Sequence, residues 1–158
     1  MTTSKPSLSQ PRRILVALLA EEENEALVRY AALLATSLHA ELILVAVAAS
    51  VAVPVAPGEV WNPGVLQSQQ QEIVDRLAAE NLAEIASTLP PTLVQESVVT
   101  WGSEGQATVD AARDHRADLV VVPMRRREHE LEHALHDHAD RYVLHHSHVP
   151  VLVVPVEG

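Results

Sequence analysis

Five short apolar runs, separated by longer stretches of helical character, constrain this chain more than any other feature. Ile14–Leu19, Leu42–Ala48, Leu93–Thr100, Leu119–Val122 and Pro150–Val156 are all strand-sized. Most are continuous in Leu, Val, Ile and Ala, as strands buried on both faces of a sheet are. Leu93–Thr100 instead alternates and is rich in Val. Between the first two runs, Glu21, Glu22 and Glu23 precede an Ala/Leu-rich stretch ending at Leu38. Acidic residues followed by strong helix formers predict a helix there. In Val65–Thr88, Leu66, Ile73, Leu77, Leu82 and Ile85 recur near helical spacing, and Pro90 and Pro91 stop the pattern. Ser103 and Gln106 have capping-box spacing, which predicts a helix from there to about Arg116. The last helix is predicted from Glu128 to about His146, with Leu131, Leu135 and Tyr142 on one face. Strict alternation of strand and helix implies an α/β fold: an open, Rossmann-like parallel sheet with helices on both faces.

At 158 residues and 47% hydrophobic, the chain can build one full core. A single domain is expected over residues 12–157, after a polar lead at 1–11 that is expected to be disordered and has no apolar signal core. Ser50–Gly64 holds Pro54, Pro57, Gly58 and Pro63 and is read as a loop. Phe is absent and aromatics make up 3%, so the core must be aliphatic. A net charge of −10 disfavours nucleic acid and anionic membrane as partners. Without cysteine there are no disulfides and no thiol chemistry. The longest apolar run, Leu42–Ala49, falls far short of the ~18–20 residues that cross a bilayer. A soluble cytoplasmic protein is the expectation.

Several segments together resemble the universal stress protein family. Arg13-Ile14-Leu15-Val16-Ala17 is similar to its first strand, and Ala40-Glu41-Leu42 through Val47 to its second. Gly102 through Ala112, with Ala117-Asp118-Leu119-Val120-Val121-Val122, resembles its third helix and fourth strand. His146 through Val154 resembles the end of its last helix and its fifth strand. The resemblance spans roughly residues 12–156. It implies five parallel strands in the order 3-2-1-4-5. The ligand crevice would then lie where the strand order reverses, between strands 1 and 4 at their C-terminal ends. Leu19-Ala20-Glu21 and Pro123-Met124-Arg125-Arg126-Arg127 would bound it.

Family members that hold ATP carry Gly-x2-Gly, nine residues, then Gly-Ser or Gly-Thr. Such glycines let backbone N–H groups approach the phosphates. This chain has five glycines, and none lies between Gly105 and Gly158. Arg127 and Glu130 stand where the first two glycines would be. Leu19 and Ala20 replace the Asp-Gly that often ends the first strand, and Leu19 would fill space a nucleoside needs. Glu21, Glu22 and Glu23 would oppose a polyphosphate. The expectation is a crevice closed to ATP, with no cofactor. The alternative is a rebuilt anion site at Arg125, Arg126 and Arg127.

No catalytic constellation stands out. Gly-x-Ser-x-Gly and Gly-x4-Gly-Lys-Ser/Thr are absent, Ser103 reads as a helix cap and Asp118 as a turn residue, so no enzyme activity is expected. Seven of nine histidines fall between positions 129 and 148. At about 100° per residue, His129, His133, His136 and Asp140 share one stripe of the last helix, opposite Leu131, Leu135 and Tyr142. Imidazoles one turn apart can share a metal ion, and imidazoles gain charge on acidification. A metal site, a pH-responsive segment and a polar face needing no ligand all remain open. His39 and His115 read as isolated surface residues at helix ends, and His145, His146 and His148 as possible subunit contacts. Val151, Leu152, Val153 and Val154 would form an exposed apolar edge strand, which predicts a homodimer paired along it. The family commonly dimerises there. The functional expectation is a non-catalytic stress-response protein that binds an unidentified protein partner as a homodimer.

Overall fold

A computed structural model describes residues 9–19, 24–48, 63–125 and 139–156 of the chain. The elements run β1 (Arg13–Leu18), α1 (Asn24–Leu38), β2 (Glu41–Ala48), α2 (Pro63–Ser87), β3 (Val94–Trp101), α3 (Glu104–Asp114), β4 (Leu119–Arg125), α4 (Ala139–His146) and β5 (Val151–Val156). The five strands form one parallel sheet in the order β3-β2-β1-β4-β5. This is the architecture expected from the alternating runs and the family resemblance.

Strand side chains alternate between faces, so the continuous apolar runs feed two cores. Ile14, Val16 and Leu18 of β1 join Leu27, Val28, Ala31 and Ala35 of α1 and Leu82 of α2. Leu15, Ala17 and the following Leu19 join Ala107, Val109, Ala111 and Ala112 of α3 and Ala139 and Val143 of α4. β1 is central and is buried throughout after Arg13. Each of its large aliphatic side chains contributes roughly 1.5–3 kcal/mol by leaving water.

Three contacts that set the packing were invisible as spacing. Asp118 does more than turn the chain. Its Oδ2 accepts the backbone N–H groups of Arg12 and Arg13, each at 3.0 Å, while its own N–H donates to the Arg13 carbonyl. This clasp ties the start of β1 to the start of β4. Gly105 lets α3 approach α4: a Cβ there would stand 2.6 Å from the Tyr142 Cβ and 2.8 Å from its Cγ. Trp101 anchors the end of β3 to α2, its indole N–H donating to Asp75 Oδ1 at 2.7 Å.

Several expectations need correction. Ser103 is the N-cap of α3 by position, but its side chain makes no capping hydrogen bond. Gln106 does not reach back to it; its carboxamide accepts from the Tyr142 hydroxyl and donates to Asp110. The capping box is therefore not formed, because Gln106 is recruited by the neighbouring helix. Of the stripe predicted for α2, Leu82 is buried and Leu66 and Ile85 are half-buried, whereas Ile73 and Leu77 are 47% and 58% exposed. β4 continues past Val122 to Arg125, because β5 offers it partners at Val154, Pro155 and Val156. Arg125 thus belongs by its backbone to a strand, not to a loop.

Candidate functional site

The C-terminal rim of the sheet, where the order reverses between β1 and β4, is the place such a fold offers a ligand. Leu19 follows β1 there. It is 6% exposed and packs in one cluster with Val47, Val122, Ala139 and Val143. The side chain predicted to occupy nucleoside space is therefore a core residue of the α3/α4 side. Across the reversal, Pro123 is buried and Met124 half-buried. Both are held in register by β5.

A cavity of about 400 Å³ opens beside this rim, on the α1/α2 side of β1 and β2. Leu18, Leu19, Val47, Val74, Ala78 and Leu82 are among the residues lining it, together with the carboxamides of Asn24 and Asn81. Among the described residues, its lining is mostly aliphatic and carries no basic side chain. Asn24 Nδ2 donates to the Leu19 carbonyl at 3.4 Å, a long bond that links the start of α1 to the end of β1. The same two asparagines border a groove of about 760 Å³ between α1 and α2. Nothing in the sequence singled them out, since isolated asparagines carry no spacing signal.

Among the candidates read from the sequence, Arg126, Arg127, His129, His133 and His136 lie outside the described residues, as do Glu21, Glu22 and Glu23 and the first part of the predicted last helix. Arg125 is placed by its backbone at the end of β4. Asp140, in the first turn of α4, is half-buried instead of lying on an open stripe. Among the described residues, no group of three or more His, Asp or Glu side chains is placed to hold a metal ion.

The described histidines are more engaged than expected. His115 is not isolated: its Nδ1 lies 2.5 Å from Glu96 Oε2 on β3, and Arg13 Nη2 lies 3.5 Å from the other carboxylate oxygen. The reason is topological. Arg13, Glu96 and the end of α3 meet at the N-terminal edge of the sheet, on the α3 side. His146 stacks on Tyr142, with ring centroids 4.0 Å apart, and its Nδ1 meets the Tyr142 carbonyl at 2.9 Å. His148 Nε2 pairs with the Arg113 guanidinium. Val151, Leu152, Val153 and Val154 lie on the edge strand β5 and are half-buried, while Pro155 is exposed.

The sequence model described as the universal stress protein family matches residues 11–155. The chain belongs to the universal stress protein family. No curated protein gives a significant match. Among solved structures, this universal stress protein is similar to UspA from Lactobacillus plantarum, with a TM-score of 0.68 at 18% identity, covering 92% of this chain and 99% of that one. It is also similar to a universal stress protein family protein from Arabidopsis thaliana with AMP bound, with a TM-score of 0.56 at 12% identity, covering 92% of each chain. A third similar structure is the universal stress protein from Archaeoglobus fulgidus in complex with dAMP, with a TM-score of 0.50 at 17% identity, covering 92% of this chain and 99% of that one. At these identities the likeness establishes the fold. Among the described residues, no helix is long and apolar enough to cross a membrane.

Proposed function

We propose that this universal stress protein is a non-catalytic stress-response module that acts as a homodimer, binds a protein partner and does not retain ATP. The observation that carries the reading is the lack of any glycine between Gly105 and Gly158. A phosphate cradle after β4 needs backbone that approaches the ligand without a Cβ, and this chain offers none. Leu19 supports the same reading, because a buried aliphatic side chain stands at the end of β1. Homodimerisation is supported by β5, whose half-buried valines border an open sheet edge. Pro155 lacks an N–H, so the ladder between two copies would be short. Protein purified without added ligand tests the reading. Denaturation should release no nucleotide, and light scattering should give twice the chain mass at micromolar concentration. Stoichiometric nucleotide in the supernatant contradicts the first part, and a monomer contradicts the second.

A second reading, a nucleotide-binding module with a non-standard anion site, is favoured by the AMP and dAMP bound to similar structures. Arg125, Arg126 and Arg127 would supply the charge. Low-micromolar AMP binding that is abolished by replacing these arginines would establish it over the first.

A further inference from the structure

α1 and α2 cover the same face of the sheet, yet they make little contact with each other. The space between them is a groove of about 760 Å³. Val28, Ala32 and Leu33 of α1 line one side, and Ile85 of α2, with Leu89 and Leu93 after it, the other. Leu33 is 65% exposed, so the groove presents apolar surface to water. Its hydroxyls are already committed to nearby carbonyls. Thr36 donates to Ala32 at 2.8 Å, Ser37 to Leu33 at 2.9 Å and Thr88 to Ile85 at 2.7 Å. The walls are helical, so their backbone N–H and C=O groups are paired within each helix as well. An extended peptide laid here would find no ladder to join, and its own backbone groups would lose water without gaining a partner. A helix brings its backbone hydrogen bonds with it and asks the groove only for apolar contact. Charge then selects the flanks of that helix. Glu25 and Arg29 line the groove and neutralise each other at 2.6 Å. Glu84 also lines it and makes no ion pair among the described residues. The chain as a whole carries −10.

We propose that the groove between α1 and α2 docks an amphipathic helix of a protein partner, apolar along one stripe and basic on its flanks, a reading that rests on the partner binding proposed above. From Asn24 to Ser37 the α1 wall runs about 20 Å, at ~1.5 Å per residue, and a docked helix of about thirteen residues matches it. The partner's stripe would bury Leu33 and Ile85, and a Lys or Arg beside the stripe would meet Glu84. Each described helix of this chain carries a single arginine and no lysine, so a second copy supplies no such helix.

The test uses the full chain and a fluorescent model peptide of about eighteen residues, long enough to hold a helix on binding. Its leucines stand at i, i+3, i+4 and i+7, with Lys and Ala elsewhere. A scrambled peptide of the same composition is the control, and anisotropy is read at about 0.15 M salt to screen non-specific attraction. The patterned peptide should bind saturably, and the scrambled one at least roughly tenfold more weakly. Leu33→Asp should weaken binding by roughly tenfold or more, as loss of an apolar anchor does. Tyr30→Asp should leave it unchanged, because Tyr30 is exposed on α1 but does not line the groove. Glu84→Lys should weaken binding roughly two- to fivefold, and Glu72→Lys, outside the groove on the same helix, should not. Equal binding of both peptides, or equal loss in Leu33→Asp and Tyr30→Asp, overturns the proposal. So does self-association that Leu33→Asp abolishes, since the groove would then be covered by a second copy. A peptide that does not bind overturns the groove alone, because nucleotide release and dimer mass are judged without it.

Discussion

Gly105 is where a single Cβ decides how closely two helices pack. Alanine would gain about 1 kcal/mol of helix propensity at this position. It would also place a methyl 2.6 Å from the Tyr142 Cβ, an atom fixed to the α4 backbone and unable to swing away. Overpacking costs typically ~1–3 kcal/mol, so Gly105→Ala should be net destabilising, with a thermal midpoint below wild type. An unchanged or raised midpoint would show that α4 slides aside freely. Asp118 offers a second test. Its carboxylate receives two backbone N–H groups from β1, and exposure keeps each bond modest. Asp118→Ala should cost about 1–2 kcal/mol in chemical denaturation. A variant as stable as wild type would remove the clasp from the account. Both residues escaped a reading by spacing. The partners of Asp118 are Arg12 and Arg13, over a hundred positions away in the chain, and the close approach at Gly105 depends on Tyr142 of another helix.

The strands were legible because two-sided burial writes itself as unbroken aliphatic sequence. Ile14–Leu19 and Leu42–Ala48 needed no partner to be recognised, and the structure moves their ends by one residue at most. Helices were legible as elements but less so as faces. In α2 the predicted Leu82 is buried and Ile85 half-buried, yet Ile73 and Leu77 of the same stripe are exposed and Val74 and Ala78 are half-buried instead. A long helix rich in Ala, Gln and Glu offers several weak stripes, and only packing selects among them. At the rim, the apolar end of β1 could be read from Leu19 alone. The cavity beside it could not, since it depends on how α1 and α2 splay over the sheet. β5 carries the prediction that belongs to this scale. Its edge position leaves backbone groups and half-buried valines open to a second copy. Val153→Lys should shift the proposed dimer toward monomer by roughly tenfold or more in dissociation constant, measured by sedimentation or light scattering. A dimer unaffected by that change would have to be built elsewhere.

For the whole molecule, the question is what a universal stress protein does when its sequence carries no glycine between Gly105 and Gly158. The scaffold is retained: five parallel strands, the order reversal between β1 and β4, and a cavity at the strand ends. The glycine pattern is not: no glycine lies between Gly105 and Gly158, and arginines, histidines and acids follow β4. A net charge of −10 adds a long-range penalty for an anionic ligand. Calorimetric titration of tag-free protein with Mg-ATP tests this most directly. The account predicts no heat of binding beyond dilution up to millimolar nucleotide. A saturating isotherm with a dissociation constant in the low micromolar range would contradict it.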